Sequence, residues 1–159
     1  MPIDIRKNTI IVISICVIMT IFLGVLIVGA SSNKTTRILT EQAEEDIKFN
    51  DEKLNVYFFY GKGCPHCEEL ISFLNTLPSE YNDYYDLYTL EVWYNDRNNE
   101  LMNNLVQTLD KTVEGIPCLI IGDQVFFGYS TRMDEKLKKA IKEEYKERKQ
   151  FDVYKEYKN

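Results

Sequence analysis

The spacing of apolar positions changes character several times along this chain, and each change predicts a different element. From Ile10 to Val28 the run is almost unbroken, interrupted only by Ser14, Thr20 and Gly24. A helix of ~20 such residues, rising ~1.5 Å each, spans the ~30 Å hydrocarbon core of a bilayer. Residues 31–53 are polar and charged and read as a linker, with a helical stretch between Thr40 and Phe49 that Thr40 would cap and whose Ala43 and Ile47 share one side. From Leu54 strand-like and helix-like patterns alternate. Asn55 to Tyr60 is rich in β-branched and aromatic residues and predicts a buried strand, broken by Gly61-Lys62-Gly63. Cys64 to Leu77 places Leu70, Ile71 and Leu74 at helical spacing with Phe73 beside them, and Pro78 stops it. A second strand follows over 84–93 and a second helix over 98–109. Cys118 to Ile121 and Val125 to Phe127 form a hairpin around Gly122-Asp123. A charged amphipathic helix over 131–148 turns Met133, Leu137, Ala140, Ile141 and Tyr145 inward.

The order β-α-β-α-β-β-α predicts an α/β domain over 54–150. Its β-α-β start requires a right-handed parallel crossover and its hairpin adds antiparallel strands, giving a mixed four-stranded sheet with helices on both faces. Residues 151–159 read as a C-terminal tail. Arg6 and Lys7 precede the apolar run, so the positive-inside rule places residues 1–9 in the cytoplasm, residues 10–30 as a single-pass anchor in the cell membrane, and the domain on the extracytoplasmic side. Val28-Gly29-Ala30 admits a rival reading as a cleaved signal peptide. The apolar run is longer than the ~7 to 15 residues of a signal core, which favours the anchor. Lys and Arg total 19 against 25 Asp and Glu, a formal net charge of -6. No basic stripe stands out, so nucleic acid is not an expected partner.

The chemistry-bearing residues are few: Cys16, Cys64, Cys67, Cys118 and a single histidine, His66. Cys16 falls inside the apolar run. Cys64 and Cys67, two residues apart at a strand-to-helix junction, point to disulfide exchange, which needs a thiolate. A helix N-terminus offers free N–H groups and the positive end of a dipole to such an anion. Pro65 fits the first helical turn, where its missing N–H is harmless. His66, when protonated, adds positive charge nearby. One turn of helix places Cys67 to attack a mixed disulfide formed at Cys64, so Cys64 is the expected exposed nucleophile and Cys67 the more buried resolving thiol. No second C-x-x-C exists, so a zinc site would have to recruit Cys118, His66 or carboxylates. A metal-binding protein and a non-catalytic adaptor or chaperone are the alternatives; no resident cofactor or metal is implied by the leading reading. A cysteine hydrolase is set aside, because His66 shares its turn with both cysteines and no second histidine exists.

Residues 54–148 resemble the thioredoxin superfamily through two motifs. The first is Cys64-Pro65-His66-Cys67 after an aromatic strand. The second is Gly115-Ile116-Pro117 followed by a short strand, a turn and Gly128. The resemblance implies a thioredoxin-like fold and a protein thiol–disulfide oxidoreductase. It implies that Pro117 is a cis-proline beside the redox pair and that Ile116 presents backbone to bound substrate. It implies extracytoplasmic partner proteins bearing thiols or disulfides, and a further partner that recycles the pair. His66 and the extracytoplasmic placement favour oxidation of the partner. Many members carry a buried carboxylate six residues before the nucleophile, where this chain has Phe58. Glu91 is a candidate substitute, although its place predicts a solvated sheet edge. Cys118, directly after Pro117, reads as a small core residue, with a third redox thiol or a metal ligand as its other readings. Tyr81, Tyr84, Tyr85, Tyr88 and Tyr94 are expected to serve packing.

Overall fold

Leu54–Tyr60 forms β1, and each of its residues is buried. An apolar run without polar alternation is what a strand covered on both faces requires. The computed structural model describes Arg37, residues 39–148 and residues 151–159. After β1 come α1 (Pro65–Thr76), β2 (Tyr85–Glu91), α2 (Asp96–Thr108), β3 (Cys118–Ile121), β4 (Gln124–Phe127), α3 (Asp134–Arg148) and α4 (Val153–Lys158). The sheet order is β2-β1-β3-β4. β1 and β2 run parallel, from Leu54 opposite Tyr85 to Tyr60 opposite Glu91. β3 is antiparallel to β1 and to β4. This mixed sheet with helices fits a thioredoxin-like α/β arrangement.

Period-two alternation divides the strands between two cores. On one face Val56, Phe58, Leu119 and Ile121 pack with Leu70, Ile71 and Leu74 of α1 and Leu137, Ala140 and Ile141 of α3. On the other, Tyr57, Phe59, Cys118 and Ile120 pack with Leu101, Met102, Leu105 and Val106 of α2. Fully burying a Leu, Ile or Phe side chain contributes about 1.5–3 kcal/mol, so these two layers dominate the stability. Of the tyrosines, Tyr81 and Tyr85 join the first core and Tyr88 the second, while Tyr84 stacks on Tyr145 at 4.8 Å between centroids. Tyr94 departs from the packing expectation and projects into solvent, 79% exposed.

The elements differ from the sequence reading in three places. The stretch from Thr40 to Phe49 is mostly extended, with one 3-10 turn at Glu44–Asp46. Its backbone is claimed by β2 instead: the Thr89 hydroxyl donates to the Thr40 carbonyl (2.6 Å), the Gln42 N–H to the Thr89 carbonyl (3.0 Å), and the Thr89 N–H to Gln42 Oε1 (2.7 Å). The segment thereby covers a sheet edge that would otherwise present unpaired polar groups. β2 stops at Glu91, short of Trp93, for a reason given below.

The third difference is the C-terminal stretch, which is a docked helix and not a loose tail. Asp152 caps α4, accepting from the N–H groups of Tyr154 and Lys155. Its carboxylate also accepts from Asn55 Nδ2 (2.6 Å) and the Tyr57 hydroxyl (2.7 Å), and Val153 is buried in the second core. Burial, reinforced by Asp152, raises the Tyr57 hydroxyl above its ordinary pKa. Tyr154 and Lys158 both reach Glu44, so the two ends of the described unit meet on the α2 face. The expected anchor over 10–30 lies outside the described residues, and among the described residues no helix is long and apolar enough to cross a membrane.

Asp152→Ala removes a helix cap and two buried hydrogen bonds at once. It is expected to lower unfolding stability by about 2–4 kcal/mol, read as a reduced midpoint in urea at unchanged slope.

Candidate active site

The end of β1 delivers the chain into a tight loop. Gly63 has φ +84°, a left-handed conformation that glycine adopts without a Cβ penalty. The Cys64 N–H closes the loop on the Gly61 carbonyl at 3.0 Å. Cys64 then occupies the N-cap of α1, with Pro65 at the first helical position. Its carbonyl accepts from the N–H groups of Cys67 (3.1 Å) and Glu68 (3.2 Å). No side-chain hydrogen bond caps the helix; Pro65 has no N–H and the Cys67 N–H is taken by the Cys64 carbonyl, so the first turn offers residue 64 the His66 N–H and the positive end of the helix dipole.

Cys64 and Cys67 are joined in a disulfide, with Cα atoms 5.2 Å apart. Cys67 is 0% exposed and Cys64 only 5%. The ranking of the two follows the sequence reading, but Cys64 is not the exposed residue that reading expected. In the oxidised pair it joins the apolar cluster that holds Tyr60, Leu70 and Cys67, with Ile116 packed against it. His66 is exposed, and its Nδ1 lies 3.1 Å from Glu69 Oε2. The ring is thus engaged by a neighbouring carboxylate, an exposed pairing of about 0–1 kcal/mol that offsets part of any charge it carries.

The Ile116–Pro117 bond is cis. Phe59 faces Cys118 in the β1–β3 pairing, so the register extended by one residue sets Pro117 across from Tyr60, where the redox loop begins. The Pro117 carbonyl accepts from the Gly128 N–H at 2.8 Å, and half-buried Ile116 packs against both cores. Beside α1 an open groove of about 700 Å³ runs between His66, Glu69 and Phe73 on one wall and Tyr129, Thr131 and Asp134 on the other. The Tyr129 hydroxyl donates to Asp134 Oδ1 (2.8 Å); burial and that carboxylate raise its pKa.

Glu91 also sits differently from expectation. Glu91 is buried, 3% exposed, and is not on a solvated edge. Its carboxylate accepts from the backbone N–H groups of Lys62 (3.1 Å), Trp93 (3.0 Å) and Tyr94 (2.9 Å), which is what ends β2. Burial alone would push this carboxyl up; amide bonds from Tyr94, Lys62, Trp93 and Asn95 outweigh it and hold the pKa below the usual carboxylate range. Partners that are backbone amides carry no residue-type signature, so nothing in the sequence marked this role. Phe58, six residues before Cys64, is fully buried in the first core.

Cys118 belongs to the second core, with Phe59 and Ile120, whereas Cys64 and Cys67 belong to the first. The two layers lie on opposite faces of the sheet, in keeping with the reading of Cys118 as a core residue. Burial pushes its thiol up to about 12. Among the described residues no group of three or more His, Cys, Asp or Glu is placed to hold a metal ion.

No family model and no curated protein matches the chain. Among solved structures it is similar to the glutaredoxin Grx-1 of Archaeoglobus fulgidus, at 20% identity, over 54% of this chain and 84% of that one, with a TM-score of 0.37.

Cys118→Ala is expected to cost about 1–2 kcal/mol of stability through lost packing. It should leave the glutathione equilibrium of the Cys64–Cys67 pair unchanged; a displaced equilibrium would mean that Cys118 communicates with the pair.

Proposed function

We propose that this chain is a protein thiol–disulfide oxidoreductase, tethered to the membrane by residues 10–30, that exchanges disulfides with extracytoplasmic proteins. The observation that carries the reading is the Cys64–Cys67 disulfide at the N-terminus of a helix that follows the central strand. In the oxidising direction a substrate thiolate attacks the Cys64 sulfur. The S–S bond to Cys67 breaks, and Cys67 leaves as the thiolate. A second substrate thiolate then attacks the substrate sulfur of the mixed disulfide and expels Cys64. The substrate loses two electrons and two protons to form its disulfide, and the pair becomes a dithiol. The amide ends of α1 stabilise the departing Cys64 thiolate, and a better leaving group speeds this second step.

The reverse sequence reduces a partner, and the potential of the pair against its recycling partner selects the direction. Because Phe58 replaces a proton-accepting carboxylate, proton transfer to and from Cys67 runs through water or His66. The groove beside α1 and the Ile116–Pro117 turn are the surfaces adjacent to the pair that a polypeptide substrate would contact.

The test is trapping. Cys67→Ala removes the resolving sulfur, so mixed disulfides through Cys64 are expected to accumulate on the cells' extracytoplasmic proteins and to disappear on reduction. Cys64→Ala should trap nothing. Equal yields from the two variants would overturn the assignment.

A further inference from the structure

We propose that Glu91 is a positioning residue for the redox step: its carboxylate fixes the loop that carries Cys64 and sets a buried negative charge beside it that opposes the Cys64 thiolate. This inference rests on the redox reading above.

Glu91 closes β2 directly opposite Tyr60, the last residue of β1. Its Oε1 takes the N–H groups of Lys62 and Trp93, and its Oε2 takes that of Tyr94. Lys62 lies in the loop before Cys64, while Trp93 and Tyr94 lie in the loop after β2. One carboxylate therefore stitches two loops together, and the Val92 N–H adds a bond to the Tyr60 carbonyl at 2.9 Å.

Trp93 completes the bracket. A Cβ built on Gly61 would collide with its indole ring, so the ring lies against the Gly61 backbone. The Gly61 carbonyl is the acceptor of the Cys64 N–H. The line of support runs from Glu91 through the Lys62 amide and the Trp93 ring to the backbone that seats Cys64. Trp93 stays 52% exposed, which a purely packing role would not require.

The donors to Glu91 are all backbone amides, which solvate the carboxylate and leave its negative charge in place. The titratable groups around it are Glu41, Lys62 and Tyr94 at the shallow cavity it lines, with Tyr60 across the strand pair. Around Cys64 stand Glu68 and the His66–Glu69 pair on α1. A buried negative charge bonded to the backbone two residues before Cys64 disfavours a thiolate there. The pair is then less oxidising than the helix terminus alone would make it.

The experiment uses the full reduced chain and follows iodoacetamide alkylation of Cys64 against pH by mass spectrometry. Glu91→Gln keeps the shape and removes the charge; the midpoint is expected to fall by about 0.5–1 pH unit. The glutathione equilibrium of the pair should shift about threefold to tenfold toward the dithiol, the same effect expressed as a ratio. Glu91→Asp restores the charge and should return the midpoint toward wild type, whereas a role in folding alone would leave Asp and Gln alike. An unchanged midpoint in Glu91→Gln, or identical midpoints in the Asp and Gln variants, overturns the proposal. Alkylation needs no turnover. If the midpoint moves but the wild-type pair does not exchange with glutathione, the oxidoreductase reading fails and the positioning of Cys64 by Glu91 stands.

Discussion

The arrangement depends on where β1 stops. β1 is paired on both sides, parallel to β2 as far as Tyr60 and antiparallel to β3 as far as Phe59. Parallel neighbours end at the same edge of a sheet, so the loop after Tyr60 and the loop after Glu91 emerge side by side. The antiparallel neighbour begins there, which brings the Ile116–Pro117 turn to the same edge. Three loops distant in sequence meet because one strand fixes all of them. The redox pair needs no long excursion of its own: a three-residue loop and the first turn of α1 suffice. A one-residue slip of β1 would reverse its faces, sending Phe58 and Tyr60 out of the layer that receives the cysteines.

Electrostatics at this edge pull in both directions. The free amides of α1 favour an anion at residue 64 by about 0.3–1 kcal/mol at an exposed helix end and up to ~2 kcal/mol when partly buried. Against them stand the buried Glu91 and, on the helix itself, Glu68 and Glu69, the latter hydrogen-bonded to His66. The Pro-His dipeptide between the cysteines is therefore an incomplete guide to the charge around Cys64: His66 faces Glu69, and a buried carboxylate bound to the Lys62 amide arrives from a different strand.

Much of this was readable from the chain because the relevant signals are periodic or local. The order of strands and helices followed from alternation and helical spacing, and Cys64, Pro65 and Cys67 were marked by their position at a strand-to-helix break. What escaped reading depends on contacts between distant segments. Thr40 and Gln42 run extended because Thr89, more than forty residues away, takes their hydrogen bonds. The helix after Asp152 is too short for a periodic signal and exists because Asn55 and Tyr57 bind its cap. β2 reads as longer than it is, since Val92 and Trp93 suit a strand; a carboxylate folding back on its own following amides ends it. Cys64 reads as exposed from its position in the motif, yet the oxidised sulfur packs into the core its helix covers.

Cys118 was legible in principle, and its placement sets it apart from the Cys64–Cys67 pair. Alternation along β3 sends Leu119 and Ile121 toward the redox layer and Cys118 and Ile120 away from it. The sheet itself then stands between Cys118 and the pair. The second safeguard is protonation. With burial raising the thiol to about 12, its thiolate fraction at neutral pH is on the order of 10⁻⁵, and only the thiolate attacks a disulfide. Geometry and ionisation thus act independently: a partner that partly opened the second core would still meet a protonated sulfur, and a deprotonated sulfur would still face the wrong side of the sheet. A residue directly after the proline of the site can for that reason be cysteine without entering the chemistry.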